Sequence, residues 1–140
     1  MLYSMNHSDR VKSFLFIAGI GVQNNREWIN EFYANREKYG EKMPDMLYPF
    51  NPEVNEAGNA SYRKYIQKPS LYKDISNLKM HALFLCAEND IRSNWPVYQI
   101  QALVENSVLV IIPNAAHYIW LTHYDEMRLE LRKFLGLTEG

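Results

Sequence analysis

Three short apolar runs constrain the fold of this 140-residue chain more than any other feature. The runs cover residues 11–18, 82–87 and 108–112, are rich in branched and aromatic side chains, and show no alternation of polar and apolar residues. Such runs are typical of strands covered on both faces, as in a parallel sheet flanked by helices. Residues that end regular structure follow each run, which favours strands over buried helices. We therefore predict an α/β fold with about three parallel strands.

Two amphipathic segments follow the second and third runs. Residues 95–104 and 122–135 carry apolar side chains at helical spacing, so each predicts a helix. Asn94 is expected to cap the first helix, Thr122 begins a loose capping box for the second, and Gly136 is expected to end it. The order strand, helix, strand predicts a crossover, which is right-handed in nearly all proteins.

The stretch 19–78, between the first two runs, is too long for one crossover helix. We predict a single domain over residues 1–140, in which 1–18 and 79–140 form the sheet and helix core and 19–78 forms a cap-like helical insertion. The predicted parts of this insertion are a helix at 25–39, an irregular segment with three prolines at 42–58, a helix at 61–67, and a short helix at 71–78. The first helix has an apolar stripe, which is expected to be the core of the cap and consists of Trp28, Ile29, Phe32 and Tyr33.

Composition excludes several classes of function. The 15 Lys and Arg residues and 16 Asp and Glu residues give a net charge of −1, which leaves no positive field for holding nucleic acid. The longest apolar run falls far short of the roughly 20 residues of a membrane-spanning helix, so no membrane partner is expected. The single cysteine, Cys86, predicts a reducing compartment, and we expect a cytoplasmic protein.

Two titratable residues follow the second and third predicted strands. Asp90 comes just after one and His117 a few residues after the next. Because ligands bind beyond the carboxyl ends of parallel strands, the crossover is expected to bring the two side chains together. A carboxylate so placed fixes the tautomer of a general base. Taken singly, each residue is more often an ordinary turn residue than a catalytic one, and the two together at matched strand ends favour the catalytic interpretation.

These segments resemble the last part of the α/β-hydrolase fold. Residues 83–90, a helix, and then residues 108–117 are similar to the family's seventh and eighth strands, after which the acid and the histidine follow. Residues 7–13 resemble the entry into its sixth strand. The tract 61–65 that leads to residues 73–75, and residues 116–120, resemble proline iminopeptidase-like members. The resemblance implies an incomplete α/β-hydrolase fold in which Asp90 is the triad acid and His117 the base.

The resemblance also implies which parts of the catalytic machinery this sequence lacks. The nucleophile elbow, Gly-x-Ser-x-Gly, occurs nowhere in the sequence, and by the family pattern it would lie shortly before Met1. We expect no substitute nucleophile, no cofactor and no metal site, and we therefore expect the chain alone to be inactive. The nucleophile candidates considered and set aside are Cys86, Ser4, Ser8 and Ser93.

The first predicted strand, within residues 11–18, would have an unpaired edge that is a template for pairing. Two partners fit this edge: a second copy of the chain, giving a dimer, or a complementary N-terminal hydrolase half that brings the serine. Three functional interpretations stay open: part of a serine hydrolase that transfers acyl groups, a non-enzymatic module for oligomerisation or partner binding, and a binder of small molecules.

Overall fold

A computed structural model describes residues 1–19, 21–22, 26–40, 45, 47–49 and 51–137. In these residues three parallel strands form one sheet in the order β1 (Ser13–Ile17), β2 (His81–Ala87) and β3 (Ser107–Ile112). Leu83 of β2 lies opposite Leu15 of β1 and Val108 of β3. The predicted parallel sheet is confirmed, and each strand coincides with one apolar run.

Helices lie before, between and after the strands. A single 3-10 turn follows the first helix. The helices are α1 (Leu2–Asn6), α2 (Arg26–Tyr39), α3 (Pro52–Ile66), α4 (Leu71–Ser76), α5 (Trp95–Leu103), α6 (Ile119–Thr122) and α7 (Tyr124–Phe134). Among the described residues, no helix combines the length and the hydropathy needed to cross a membrane.

One face of the sheet packs against α4 and α5. Phe84 of β2 is fully buried at its centre, with the rings of Phe14 and Phe16 at 5.7 and 5.4 Å. Ile75 of α4 and Ile100 of α5 belong to the same buried cluster. The contact explains why these helices are held: each inserts fully buried aliphatic side chains beneath the sheet.

The opposite face packs against α6 and α7. Leu83 and Leu85 of β2 form a buried cluster with Ile119 of α6, and Met127 and Leu131 of α7 lie against it. Because both faces of β2 are covered, every residue of this strand after His81 is buried. This coverage is what its continuous apolar sequence predicts.

The prediction of an irregular segment through residue 58 is wrong at its C-terminal end. Helix α3 begins at Pro52, because the side chain of Asn51 accepts hydrogen bonds from the backbone N–H groups of Glu53 and Val54, at 3.0 and 3.2 Å. Proline is favourable in a first helical turn, where its missing N–H removes no intrahelical bond. The helix predicted at 61–67 is therefore the second half of a longer one. Residues 42–44, 46 and 50 of the predicted irregular segment lie outside the described residues.

Both predicted side-chain caps are also wrong. Asn94 makes no capping bond to α5, and its side-chain amide instead donates to the carbonyl of Ala87 at 2.7 Å. The helix predicted at 122–135 is observed as α7, which begins two residues later, at Tyr124. Thr122 is the last residue of α6, and its side-chain hydroxyl donates to the carbonyl of Tyr118 instead of capping α7. Gly136 ends α7 with a φ of 68°, as expected.

Helices α2 and α3 contribute little to the core. Among the described side chains of these helices none is buried, and Tyr33 of the predicted apolar stripe is 61% exposed. The expectation that this stripe forms a core is therefore wrong. Its rings contact one another instead: Trp28 stacks on Phe32 at 5.9 Å, and Phe32 meets Tyr33 edge to face at 5.5 Å.

Candidate functional site

The carboxyl ends of β2 and β3 bring Asp90 and His117 together. Asp90 Oδ2 lies 2.7 Å from His117 Nδ1, so the expected proximity of the two side chains is observed. The side chain of Asp90 is 2% exposed and that of His117 is 14% exposed. A short contact in a largely water-excluded place holds the imidazole ring in one orientation.

Hydrogen bonds between the two loops fix this geometry. Glu88 donates its backbone N–H to the carbonyl of Ile112 at 3.1 Å, and Asn89 donates to Ala115 at 2.9 Å. The Glu88 carboxylate in turn accepts from the backbone N–H of Asn114 at 2.7 Å. Asn114 has a φ of 57°, in the left-handed region that asparagine tolerates better than most residues. The parallel ladder therefore continues beyond the strands and carries both side chains.

Asp90 divides its two oxygens between different partners. While Oδ2 faces the imidazole, Oδ1 accepts the backbone N–H of Arg92 at 2.8 Å and lies 3.5 Å from the Arg92 guanidinium. Burial of a carboxylate is costly unless its oxygens have hydrogen-bond partners, and both oxygens of Asp90 have them. Arg92 was missed by the sequence analysis, although its position two residues after a predicted acid is a usable signal for an Asx turn.

Aromatic rings border the exposed side of His117. Tyr118 and Trp120 lie edge to face with the imidazole, with ring centres 5.0 and 6.0 Å away. Trp120 is 42% exposed, so it offers an apolar surface beside the imidazole. A neutral ring that donates Nδ1–H to Asp90 presents the lone pair of Nε2 as a base, and no described residue hydrogen-bonds Nε2.

The nucleophile candidates set aside from the sequence lie as follows. Cys86 is buried within β2, and burial, with a contribution from the Asp90 charge, raises the pKa of its thiol to about 12. Ser93 is 5% exposed, and its hydroxyl has no hydrogen-bond partner in the described part of the chain. Ser4 is buried in α1, and Ser8 begins the 3-10 turn. Among the described residues, no group of three or more His, Cys, Asp or Glu residues is placed to hold a metal ion.

Comparison with solved structures identifies the fold. The structure matches a serine hydrolase involved in carbazole degradation (the CarC enzyme) with a TM-score of 0.64 and 18% identity, over 97% of this chain and 58% of that one. It matches an α/β hydrolase, MGS-MChE2, from a lagoon-sediment metagenome of Mar Chica, Morocco, with a TM-score of 0.64 and 15% identity, over 96% of this chain and 54% of that one. The chain has an incomplete α/β-hydrolase fold.

A third match gives the same result. A variant of the meta-cleavage product hydrolase CumD has a TM-score of 0.61 and 12% identity, over 98% of this chain and 60% of that one. The chain therefore spans about 60% of the length of these hydrolases. No protein-family model matches the sequence, and no curated protein matches it.

Proposed function

We propose that this chain supplies the acid and the base of a hydrolase that transfers acyl groups through a serine nucleophile. The observation that carries the proposal is the 2.7 Å contact between Asp90 Oδ2 and His117 Nδ1, at adjacent strand ends of an α/β-hydrolase fold. In that fold the acid precedes the histidine in the sequence, as Asp90 precedes His117 here.

In this mechanism His117 moves the proton. Nε2 accepts the proton of the attacking serine hydroxyl, and Asp90 stabilises the imidazolium that forms without itself becoming protonated. The imidazolium then gives the proton to the leaving amine or alkoxide. Water attacks the acyl-enzyme in the second half of the reaction, with His117 again acting as the base.

We propose that the serine and the oxyanion donors belong to residues other than these 140. They lie either in the same polypeptide or in a separate complementary chain. The sequence contains no Gly-x-Ser-x-Gly, and Ser93 and Cys86 are both buried. Without oxyanion donors a hydrolase loses roughly 3 to 4 kcal/mol of transition-state stabilisation for each donor. The 140 residues alone are therefore expected to be inactive.

The outer edge of β1 is the proposed docking place for the complementary hydrolase segment. In the described residues β1 pairs only with β2, so one row of its backbone groups is unpaired. Leu15 of β1 is 41% exposed, and Leu2 and Tyr3 of α1 are 47% and 54% exposed. Since the matched hydrolases are longer than this chain, a segment that continues their sheet fits this edge better than a second copy.

For the substrate we propose an amide or ester of the kind that proline iminopeptidases cleave, with release of an N-terminal residue. The resemblance of residues 61–65 and 116–120 to those enzymes supports this choice. Helices α2 and α3 would form the cap that selects the substrate. The lone cysteine, free and buried, is compatible with the cytoplasmic location that we also propose.

The proposal is tested by reconstitution. The DNA on either side of the coding region is searched for a hydrolase segment with Gly-x-Ser-x-Gly, in the same reading frame or in a neighbouring gene. The chain is then expressed joined to that segment or together with it, and the product is treated with a fluorophosphonate probe. We expect labelling of that serine, slowed roughly 10⁴-fold by Asp90→Asn, since a triad acid contributes about that factor. Lys79→Ala removes an exposed ion pair with Glu105 before the amino ends of β2 and β3, at the opposite edge of the sheet from Asp90 and His117. This variant is the control and is expected to leave the rate unchanged.

Each other outcome has a definite meaning. The free chain is expected to remain unlabelled, and stoichiometric labelling at Ser4, Ser8 or Ser93 would overturn the assignment of the nucleophile to other residues. A symmetric dimer of the chain that excludes the complementary polypeptide, seen by sedimentation, would favour the non-enzymatic oligomerisation module. Labelling that is unaffected by Asp90→Asn would remove the catalytic role of the pair.

A further inference from the structure

We propose that Arg92 is a positioning residue that couples helix α2 to the Asp90–His117 pair. The position of α2 would then decide how firmly the Asp90 carboxylate is held. This coupling rests on the roles proposed for Asp90 and His117, yet it can be measured on the chain without any nucleophile.

Arg92 contacts the acid with both its backbone and its side chain. The backbone N–H donates to Asp90 Oδ1 at 2.8 Å, and guanidinium Nη1 lies 3.5 Å from the same oxygen. The Arg92 side chain is 22% exposed and that of Asp90 is 2% exposed, so water screens their attraction only in part. With Oδ1 held in this way, Oδ2 stays directed at His117.

The same guanidinium reaches α2. Its central carbon lies 5.8 Å from the centre of the Phe32 ring, within the range of a cation–π contact. The preceding residue of α2, Glu31, accepts a hydrogen bond from the indole N–H of Trp95 at 2.9 Å. Two consecutive α2 residues therefore contact the short segment that runs from Asp90 into α5.

None of the described side chains of α2 is buried, so these contacts are not reinforced by a buried apolar core. An element with few buried apolar contacts opens more readily than the core. A guanidinium presents a flat face to an aromatic ring and N–H groups at its edge to a carboxylate, so Arg92 can serve both at once. When α2 moves away, the guanidinium loses its contact with the Phe32 ring, and its contact with Asp90 Oδ1 is expected to weaken.

The test uses the full chain with ¹⁵N-labelled histidine. The measured quantity is the solvent-exchange rate of the His117 Nδ1 proton, together with the ring ¹⁵N shifts, by NMR. We expect Arg92→Gln and Phe32→Leu each to raise the exchange rate about threefold, the size typical of a partly exposed charge contact. Phe32→Leu keeps apolar bulk and removes only the aromatic face. Arg92→Lys keeps the charge but lacks the flat guanidinium face and its edge donors, so its exchange rate is expected to lie between those of the wild type and Arg92→Gln.

Two comparisons make the result decisive. Tyr33→Leu changes the adjacent ring of α2, which is 61% exposed, and is expected to leave the His117 signals unchanged. The double variant Arg92→Gln with Phe32→Leu is expected to match Arg92→Gln alone, because both changes break one chain of contacts.

Additive effects in the double variant, or a Phe32→Leu spectrum identical to wild type, would overturn the coupling. An unchanged rate in Arg92→Gln would remove the positioning role. Neither result bears on fluorophosphonate labelling of the reconstituted complex. The coupling and the proposed function can therefore be refuted independently, the first by NMR and the second by labelling.

Discussion

Strand β2 and helix α3 differ in how deeply their apolar side chains are buried. Phe84 of β2 is fully buried, whereas Val54 of α3 is 68% exposed. Both belong to regular elements with local sequence signals, an apolar run for the strand and an Asn51 cap for the helix. The difference is coverage: β2 has a strand on each side and helices on each face, and α3 has no buried residue.

The comparison shows that a helix can form without being buried, whereas a central strand cannot be understood apart from the elements that cover it. Caps and backbone hydrogen bonds are sufficient to place a helix at α3, but a helix outside a core depends on these local terms. Strand β2 has no comparable local term and depends on its neighbours. Substitutions in the sheet are therefore expected to affect global unfolding. Substitutions near the N-terminus of α3, away from Tyr65 and Ile66, which pack against the core, are expected to affect only the helix itself.

The largest expected effect is that of Phe84→Ala. Removal of a fully buried ring that touches Phe14 and Phe16 leaves a cavity and is expected to lower the free energy of unfolding by about 3–5 kcal/mol. Val54→Ala, the matched truncation in α3, is expected to change it by less than about 0.5 kcal/mol. Urea titrations measure both. Comparable losses in the two variants would break the contrast between the regions.

Gly21→Ala tests the junction between the sheet and α2. Gly21 has a φ of 72°, and a Cβ there would lie 2.6 Å from Pro96 Cβ, so strain and a clash combine to a loss of roughly 3 kcal/mol. Gly40 has a φ of 61° with nothing within 4 Å, so Gly40→Ala meets the strain alone, about 1 kcal/mol. Thermal unfolding distinguishes them, and equal losses would mean that the contact with Pro96 yields without penalty.

Cys86 makes the stability of the sheet depend on alkaline pH. Its pKa rises from 9.0 to about 12 on folding, so above pH 9 the thiol of the unfolded chain loses its proton while the folded one keeps it. The unfolded state then binds fewer protons, and stability falls by about 1 kcal/mol between pH 9 and 10. Urea titrations across this window are expected to show the decline in the wild type and a flatter profile in Cys86→Ala. Parallel profiles would contradict the burial of the thiol.

Asn51→Ala is expected to have the smallest and most local effect. Loss of the cap costs about 1 kcal/mol in the first turn of α3, seen as faster amide exchange at Glu53 and Val54, while the urea midpoint of the sheet stays unchanged. Asn55→Ala, within the same helix, is the control and is not expected to speed this exchange. A shift of the urea midpoint in Asn51→Ala would show that α3 is coupled to the core after all.

The sequence predicted those features that depend on local pattern and on topology. Uninterrupted apolar runs identified the three strands, and the crossover between two of them predicted that Asp90 and His117 would meet. Features that depend on competition between partners were missed. Asn94 has the chemistry of a cap, but the Ala87 carbonyl takes its side chain, and no local pattern reveals that competitor.

The exposure of the aromatic stripe in α2 was missed for a related reason. An amphipathic pattern specifies which face of a helix is apolar, and not whether anything covers that face. Arg92 illustrates the same limit, since its contact with Phe32 joins residues 60 positions apart. Contacts of this kind follow from the placement of whole elements.

The hydrogen bonds that join the loops after β2 and β3 have a mechanical consequence. Since Glu88 and Asn89 are hydrogen-bonded to Ile112, Asn114 and Ala115, the loops that carry Asp90 and His117 form one stiff unit. Under the proposed function, a segment that docks against this chain would meet an acid and a base that are already aligned with each other. The position of the docked serine would then determine whether the reacting groups align, because the His117 ring is held in place by Asp90 and cannot adjust to it.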